Sequence, residues 1–224
     1  MNPSLPALFL GLFLLSGCSA MAPAPQSTQA TDTATIAQRI TRSHIVVDTH
    51  IDVPYRLKDK AADISMATDG GDFDYPRAVS GGLNVAFMSI YTPAALEAEG
   101  GSKFVAEQLI DMVEGIVEQS PDKFAIARSV SDVRDQFNAG LMSLPMGMEN
   151  GSPIEADIRN LEYFFNRGIS YITLTHSLSN HISDSSYDDN RQWNGLSEFG
   201  FGVVREMNRL GIMIDISHVT DDAF

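Results

Sequence analysis

A chain of 224 residues with 29 acidic and 15 basic side chains carries a formal charge of -14, which argues against nucleic acid as a partner because no basic surface is available to neutralise phosphates. The same acidity disfavours direct adsorption to anionic lipid. With 44% hydrophobic and 20% charged residues the composition is that of an ordinary globular protein, and the roughly 190 residues beyond an N-terminal leader suffice for one sizeable domain.

Residues 1–31 contain no charged side chain. The apolar run from Ala7 to Leu15 is too short to span a bilayer as a helix, which takes about 20 residues, and predicts the core of a signal peptide. Leu15-Ser16-Gly17-Cys18 resembles the lipobox of bacterial lipoproteins, which implies a signal peptide over residues 1–18 and lipidation of Cys18. Met1 to Ser4 departs from that pattern in lacking Lys or Arg. Cys18 is the only cysteine, so an intrachain disulfide is impossible. Ser19, rather than Asp, follows it, which in Gram-negative lipoproteins implies the outer membrane, on its periplasmic side. Residues 19–35 are polar and rich in Pro, Ala and Thr, and predict a flexible tether.

A short helix is expected over Ile36–Ser43, then a first strand over Ile45–His50. Residues 51–80 predict a long polar loop. A second strand is expected over Leu83–Tyr91 and a helix over Lys103–Ser120, its apolar stripe supplied by Phe104, Leu109, Ile110, Val113 and Ile116. Phe124–Ala127 reads as a short edge segment. Val130–Ala139 reads as a helix opened by Ser131 or Asp132 and closed by Gly140. The third strand, Met142–Glu149, contains Pro145, which is awkward inside a sheet. A helix over Ile154–Arg167, a strand over Ile169–His176, a polar loop over 177–194, a helix over Ser197–Leu210 and a fifth strand over Ile212–His218 complete the series. Thr220, with Asp221 and Asp222, reads as the start of another helix, so the chain is expected to be the N-terminal part of a longer enzyme.

Strands alternating with helices predict a parallel α/β protein, either doubly wound or a barrel. The Gly-rich fingerprint of dinucleotide binding is missing after the first strand. The predicted strand ends carry His50 with Asp52, Glu149, His176 and His218, and in a parallel barrel such ends open on one face. Residues 50 and 52 are expected to point the same way and grip one ion, with Glu149 able to bridge two and His218 able to bind the second. A histidine at a strand end is often only a satisfied rim residue. Three of the five histidines end strands, with His44 and His181 outside the rule, and this repetition points to a metal-dependent hydrolase.

Five segments resemble the membrane (renal) dipeptidase family, peptidase family M19, of the amidohydrolase-like metal-dependent hydrolases. They are Val47–Pro54, Gly147–Gly151, Leu174–His176 with Asn180 and Asp184-Ser185, Gly195–Gly200, and Val204–Gly211 running into Asp215–His218. The resemblance implies a TIM-like (β/α)8 barrel, truncated here after about five strands, and a site with two Zn2+ ions. It implies that His50 and Asp52 hold the first zinc, Glu149 bridges both, His218 holds the second, and His176 is a non-ligand catalytic residue that contacts substrate. Further ligands, a substrate-binding arginine and a catalytic aspartate would follow residue 224. Ile51 stands where the family usually has Asn, and Asn150 where it usually has Gly, a change expected to narrow the room near the bridge. Asp184 is expected to order its loop or to act as a plain capping carboxylate.

The implied activity is zinc-dependent hydrolysis of dipeptides, including those with a C-terminal D-residue, by a metal-bridged hydroxide in the cell envelope. A homodimer is an implied possibility, and the 224 residues alone are expected to be inactive. The alternatives are another hydrolase of the same superfamily and a non-catalytic binding lipoprotein of the cell surface.

Overall fold

The computed structural model describes residues 28–224. The predicted signal peptide, Cys18 and the first part of the predicted tether lie outside the described residues. The remainder of that tether is not extended: helix α1 runs from Thr28 to Ser43, beginning eight positions before the expected start. No helix among the described residues is long and apolar enough to cross a membrane.

Five parallel strands frame the domain. They are β1 (Val47–Ile51), β2 (Val85–Tyr91), β5 (Met146–Glu149), β6 (Ile169–Thr173) and β7 (Met213–Asp215). They pair in the order β1-β2-β5-β6-β7. Two further strands, β3 (Phe124–Ala125) and β4 (Met142–Ser143), extend the lower end, with β4 beside β2 and β3 beside β4. The expected third strand is thus two strands, because Leu144-Pro145 separates β4 from β5 and Pro145 has no N–H to give to a ladder. The split gives six strands where five were expected, and β3, at the place of the expected edge segment Phe124–Ala127, makes the seventh. Among the described residues β1 and β7 are not paired with one another, so the sheet is open rather than a closed barrel.

Burial follows the crossover logic. Helix α5 (Ser102–Gln119) buries Ala106, Leu109, Ile110 and Val113, spaced one helical turn apart, against the apolar β2. Phe104, expected in that stripe, is 61% exposed, and Ala106 takes its part on the buried face. Helices α7 (Arg159–Asn166) and α8 (Glu198–Leu210) bury Leu161, Phe164, Val203 and Met207. The expected helix at 154–167 opens instead as a 3-10 turn, Ser152–Ile154, before α7. Helix α6 (Val130–Ala139) is capped by Ser129, whose hydroxyl accepts from Asp132 N at 3.1 Å, and is closed by Gly140 in the left-handed conformation.

The segment 51–80 holds two helices rather than a bare loop: α2 (Val53–Asp59) and α3 (Tyr75–Gly81). Each has proline in its first turn, where the missing N–H costs no hydrogen bond. A four-residue helix, α4 (Leu96–Glu99), follows β2. Thr220 opens a turn rather than a helix, its hydroxyl accepting from Ala223 N at 3.2 Å.

Asp74 caps α3 and ties down the segment before it. Its carboxylate accepts from Thr68 N, Arg77 N and Arg77 Nε at 2.8–2.9 Å. The Thr68 and then the Arg77 amide hold its pKa at about 2, below the usual 3.8. A depressed folded pKa contributes stability that is complete above about pH 4 and is lost as pH falls through 2. In Asp74→Asn the acid limb of stability between those values is expected to be shallower, as followed by urea denaturation at stepped pH; an unchanged slope would contradict the assignment.

Candidate metal centre

The upper end of the sheet gathers the chemistry. His50 lies within β1 and Glu149 is the last residue of β5, while His176 and His218 each lie three residues beyond β6 and β7. The two expected strands ending in histidine are therefore shorter than the sequence implies. Asp52 also leaves the strand, at the N-cap of α2 with φ -82° and ψ 33°, yet its Oδ1 still reaches within 3.4 Å of His50 Nε2. The two residues meet through the turn into α2 and not through strand alternation.

Glu149 is 92% buried, and its two carboxylate oxygens divide between two clusters. Oε2 lies 3.2 Å from His50 Nε2 and accepts from Ser89 Oγ at 3.1 Å. Oε1 lies 3.3 Å from His176 Nε2 and 3.4 Å from His218 Nε2. The groups His50/Asp52/Glu149 and Glu149/His176/His218 each bring their ligating atoms within 4.8 Å of one another. Imidazole nitrogen with carboxylate oxygen is a donor set that suits zinc and neighbouring divalent metals. The residues present thus fit two ions sharing one carboxylate. The geometry brings His176 into the second group, although the family pattern implied a non-ligand role for it.

The electrostatics are those of a cation site. Hydrogen bonds to Asp52 and then Glu149 push the His50 pKa up to about 10. The His50 imidazole in turn holds Asp52 below the usual carboxylate range. Burial holds His176 below the usual histidine value, against the pull of Glu149, so its ring is neutral at pH 7. Rings of Tyr91 and His218 flank it, with centroids 5.0 and 4.5 Å away.

The site opens into a cavity of about 590 Å³ lined by Thr49, His50, Phe87, Glu149, Tyr171 and His218 among others. His218 has φ 68°, a left-handed backbone uncommon outside glycine. Its carbonyl accepts from Ser186 N at 2.8 Å and from Ser186 Oγ at 3.0 Å, so the loop after β6 holds the strained residue. That loop is organised by Asp184, fully buried, whose carboxylate accepts from the amides of Gln192, Trp193 and Gly195. Three amides of one loop thus converge on a single carboxylate.

Asn150, next to Glu149 in the chain, turns its side chain to the surrounding loops. With φ 85° it adopts a conformation that Asn tolerates better than most residues. Its Nδ2 donates to Thr92 O at 3.0 Å, and its Oδ1 accepts from Ser152 Oγ and Asn180 Nδ2 at 3.0 and 3.2 Å. The residue therefore links three loops. Ile51 packs against the apolar core. Among the described residues, His44 bonds within its own helix end and His181 pairs with Glu97 at 2.8 Å; neither joins the cluster.

Ser89 and Tyr171 were not singled out from sequence. A lone serine inside the otherwise apolar and aromatic strand Val85–Tyr91 is a signal that could have flagged Ser89.

Comparison with known proteins agrees with this geometry. The family model "Membrane dipeptidase (Peptidase family M19)" matches residues 34–224. Dipeptidase verJ of Clonostachys rogersoniana is 28% identical over 189 residues, covering 78% of this chain and 49% of its own length. The crystal structure of the probable dipeptidase PvdM from Pseudomonas aeruginosa superposes with a TM-score of 0.75 at 23% identity, over 86% of this chain and 51% of that one. A metallopeptidase from Rhodobacter sphaeroides, liganded with a phosphinate mimic of the dipeptide L-Ala-D-Ala, gives 0.70 at 24% identity, over 80% and 60% of the two chains. These two structures share the fold, and the chain spans about half the length of verJ and of PvdM.

Proposed function

The chain belongs to peptidase family M19, the membrane dipeptidases, and on that premise we propose that the protein hydrolyses dipeptides at a two-zinc site. The observation that carries this reading is the divided carboxylate of Glu149, one oxygen turned to His50 and the other to His176 and His218. His50 and Asp52 would hold one ion, His218 the other, and Glu149 both. Bound there, the metals would supply a water of lowered pKa and Lewis acidity toward a carbonyl oxygen.

The chain's own residues do the rest. His176, neutral because burial disfavours its charged form, is suited to donate from Nε2–H to the oxygen of the scissile carbonyl as charge develops there. Ser89 steadies the Glu149 oxygen on the His50 side. The loop after β6 fixes His218 through its carbonyl. Acceptance of a C-terminal D-residue is part of the proposal, supported by the fold shared with the enzyme that carries the L-Ala-D-Ala mimic. The lipobox at Cys18 supports tethering to the cell envelope, where peptide fragments would be the substrates.

The test is zinc content and turnover of L-Ala-L-Ala and L-Ala-D-Ala by the full-length protein without its leader, beside His50→Ala. About two zincs per chain are expected, with activity removed by a chelator, restored by zinc, and lost in the variant. Zinc without dipeptide turnover would point to a different hydrolase. Failure to take up zinc would sink the proposal.

A further inference from the structure

A metal-binding histidine needs its second nitrogen held, because that partner sets both the tautomer and the ring plane. The Nδ1 atom of His50 lies 2.8 Å from the hydroxyl of Tyr171, a residue 121 positions further along the chain. With a metal ion on Nε2, which here faces Asp52 and Glu149, Nδ1 would carry the proton and donate to the tyrosine oxygen. Tyr171 is 92% buried.

The surroundings fix that ring. Tyr171 lies in β6 at the register of Gly147 in β5, and a Cβ on Gly147 would fall 1.9 Å from the tyrosine ring. Phe87 of β2 covers it, with ring centroids 5.6 Å apart. The missing side chain at 147 makes the room that lets a residue of β6 cross β5 and β2 to reach β1. The hydroxyl is then delivered to His50 by a rigid sheet and not by a loop.

We propose that Tyr171 is a positioning residue for the metal centre, its hydroxyl fixing the His50 imidazole with Nε2 free to bind metal. The inference rests on the reading that His50 holds a metal ion. It is specific to one of the two clusters, since among the described residues the Tyr171 hydroxyl is hydrogen-bonded to the histidine of the first cluster, His50.

The experiment is zinc titration of the full-length protein and of Tyr171→Phe against a chromogenic chelator. Phenylalanine keeps the packing on Gly147 and Phe87 and deletes only the hydroxyl. The expected result is a selective loss: one of two zinc sites weakens about 10- to 100-fold while the other stays within about two-fold. A residue serving the fold alone would weaken both sites together, and equal weakening would therefore overturn the inference. So would two wild-type affinities in the variant. If the unmutated protein itself takes up no zinc, the metal reading fails first, and the two failures are told apart by that control.

Discussion

Glu149→Gln is expected to lose both metals and at least about a thousand-fold in turnover. Residues that merely support a metal ligand are worth about 10- to 100-fold in affinity. Glu149 is shared, with Oε2 at 3.2 Å from His50 and Oε1 at 3.3 and 3.4 Å from the other two histidines, so its loss acts on two clusters at once. Glutamine has the same shape but no charge, and its nitrogen end cannot accept. Whichever way the amide turns, one cluster faces a donor. His50 also loses one of the two carboxylates that push its pKa up to about 10, so its affinity for any cation falls. Aspartate makes the informative companion. Its shorter reach is expected to keep one ion and surrender the other. Metal content by mass spectrometry and turnover of a dipeptide, measured on both variants, check the argument; two zincs bound by Glu149→Gln would refute it.

The candidate ligands were legible in the sequence because each is a chemically distinctive side chain near the upper end of a recognisable apolar strand. His50, Asp52, Glu149 and His218 need no tertiary information to be suspected, only the rule that parallel strands open on one face. Their supports were not legible. Tyr171 meets His50 across 121 residues, and it sits in an ordinary-looking strand, Ile-Ser-Tyr-Ile-Thr. Only the pairing of β6 with β5, and the glycine between them, reveals what the hydroxyl does. Asn150 shows the opposite failure: its departure from the family pattern was visible, but its consequence depends on Thr92 and Asn180 converging on it.

Errors in the elements have equally local causes. Segment 51–80 is polar and rich in Gly and Asp, which masks two helices of seven residues each. Their signals were present, in Asp52 and Asp74 at the caps and proline two positions later, but a helix of two turns buries too few residues to show an apolar period. Strands ending at His176 and His218 were drawn too long because the apolar pattern runs past the last ladder bond. The extra residues form turns that carry each imidazole over the sheet's end, and for His218 that turn takes the left-handed backbone.

Asp184→Ala is the second large effect, and it reaches the metal centre without touching a ligand. Burial by itself would raise the Asp184 pKa, yet the amides of Gln192, Gly195 and Trp193 hold it below the usual value. A depressed folded pKa means that its contribution is complete above about pH 4 and disappears as pH falls below that range. Alanine removes the acceptor for three amides at once. At Gln192 and Trp193 water can replace it, whereas Gly195 is enclosed, its Cβ direction blocked 2.7 Å away by Asp222 O. Leaving such a buried donor unpaired costs about 1–3 kcal/mol. The loss does not stop at the loop. Asp184 O accepts from Thr220 N at 3.3 Å, and Ser186, two residues on, holds the carbonyl of His218 through two hydrogen bonds. A loosened loop frees His218 from its strained backbone and weakens the cluster it shares with Glu149 and His176. Asp184→Ala is therefore expected to melt at lower temperature, to be cut by trypsin after Arg191, and to lose affinity for one zinc while the His50 side keeps its own. A variant that melts and resists trypsin like the unmutated protein would show that the loop is held by other bonds, among them Trp193 Nε1 to Asn180 O at 2.8 Å, and that Asp184 is only a capping carboxylate.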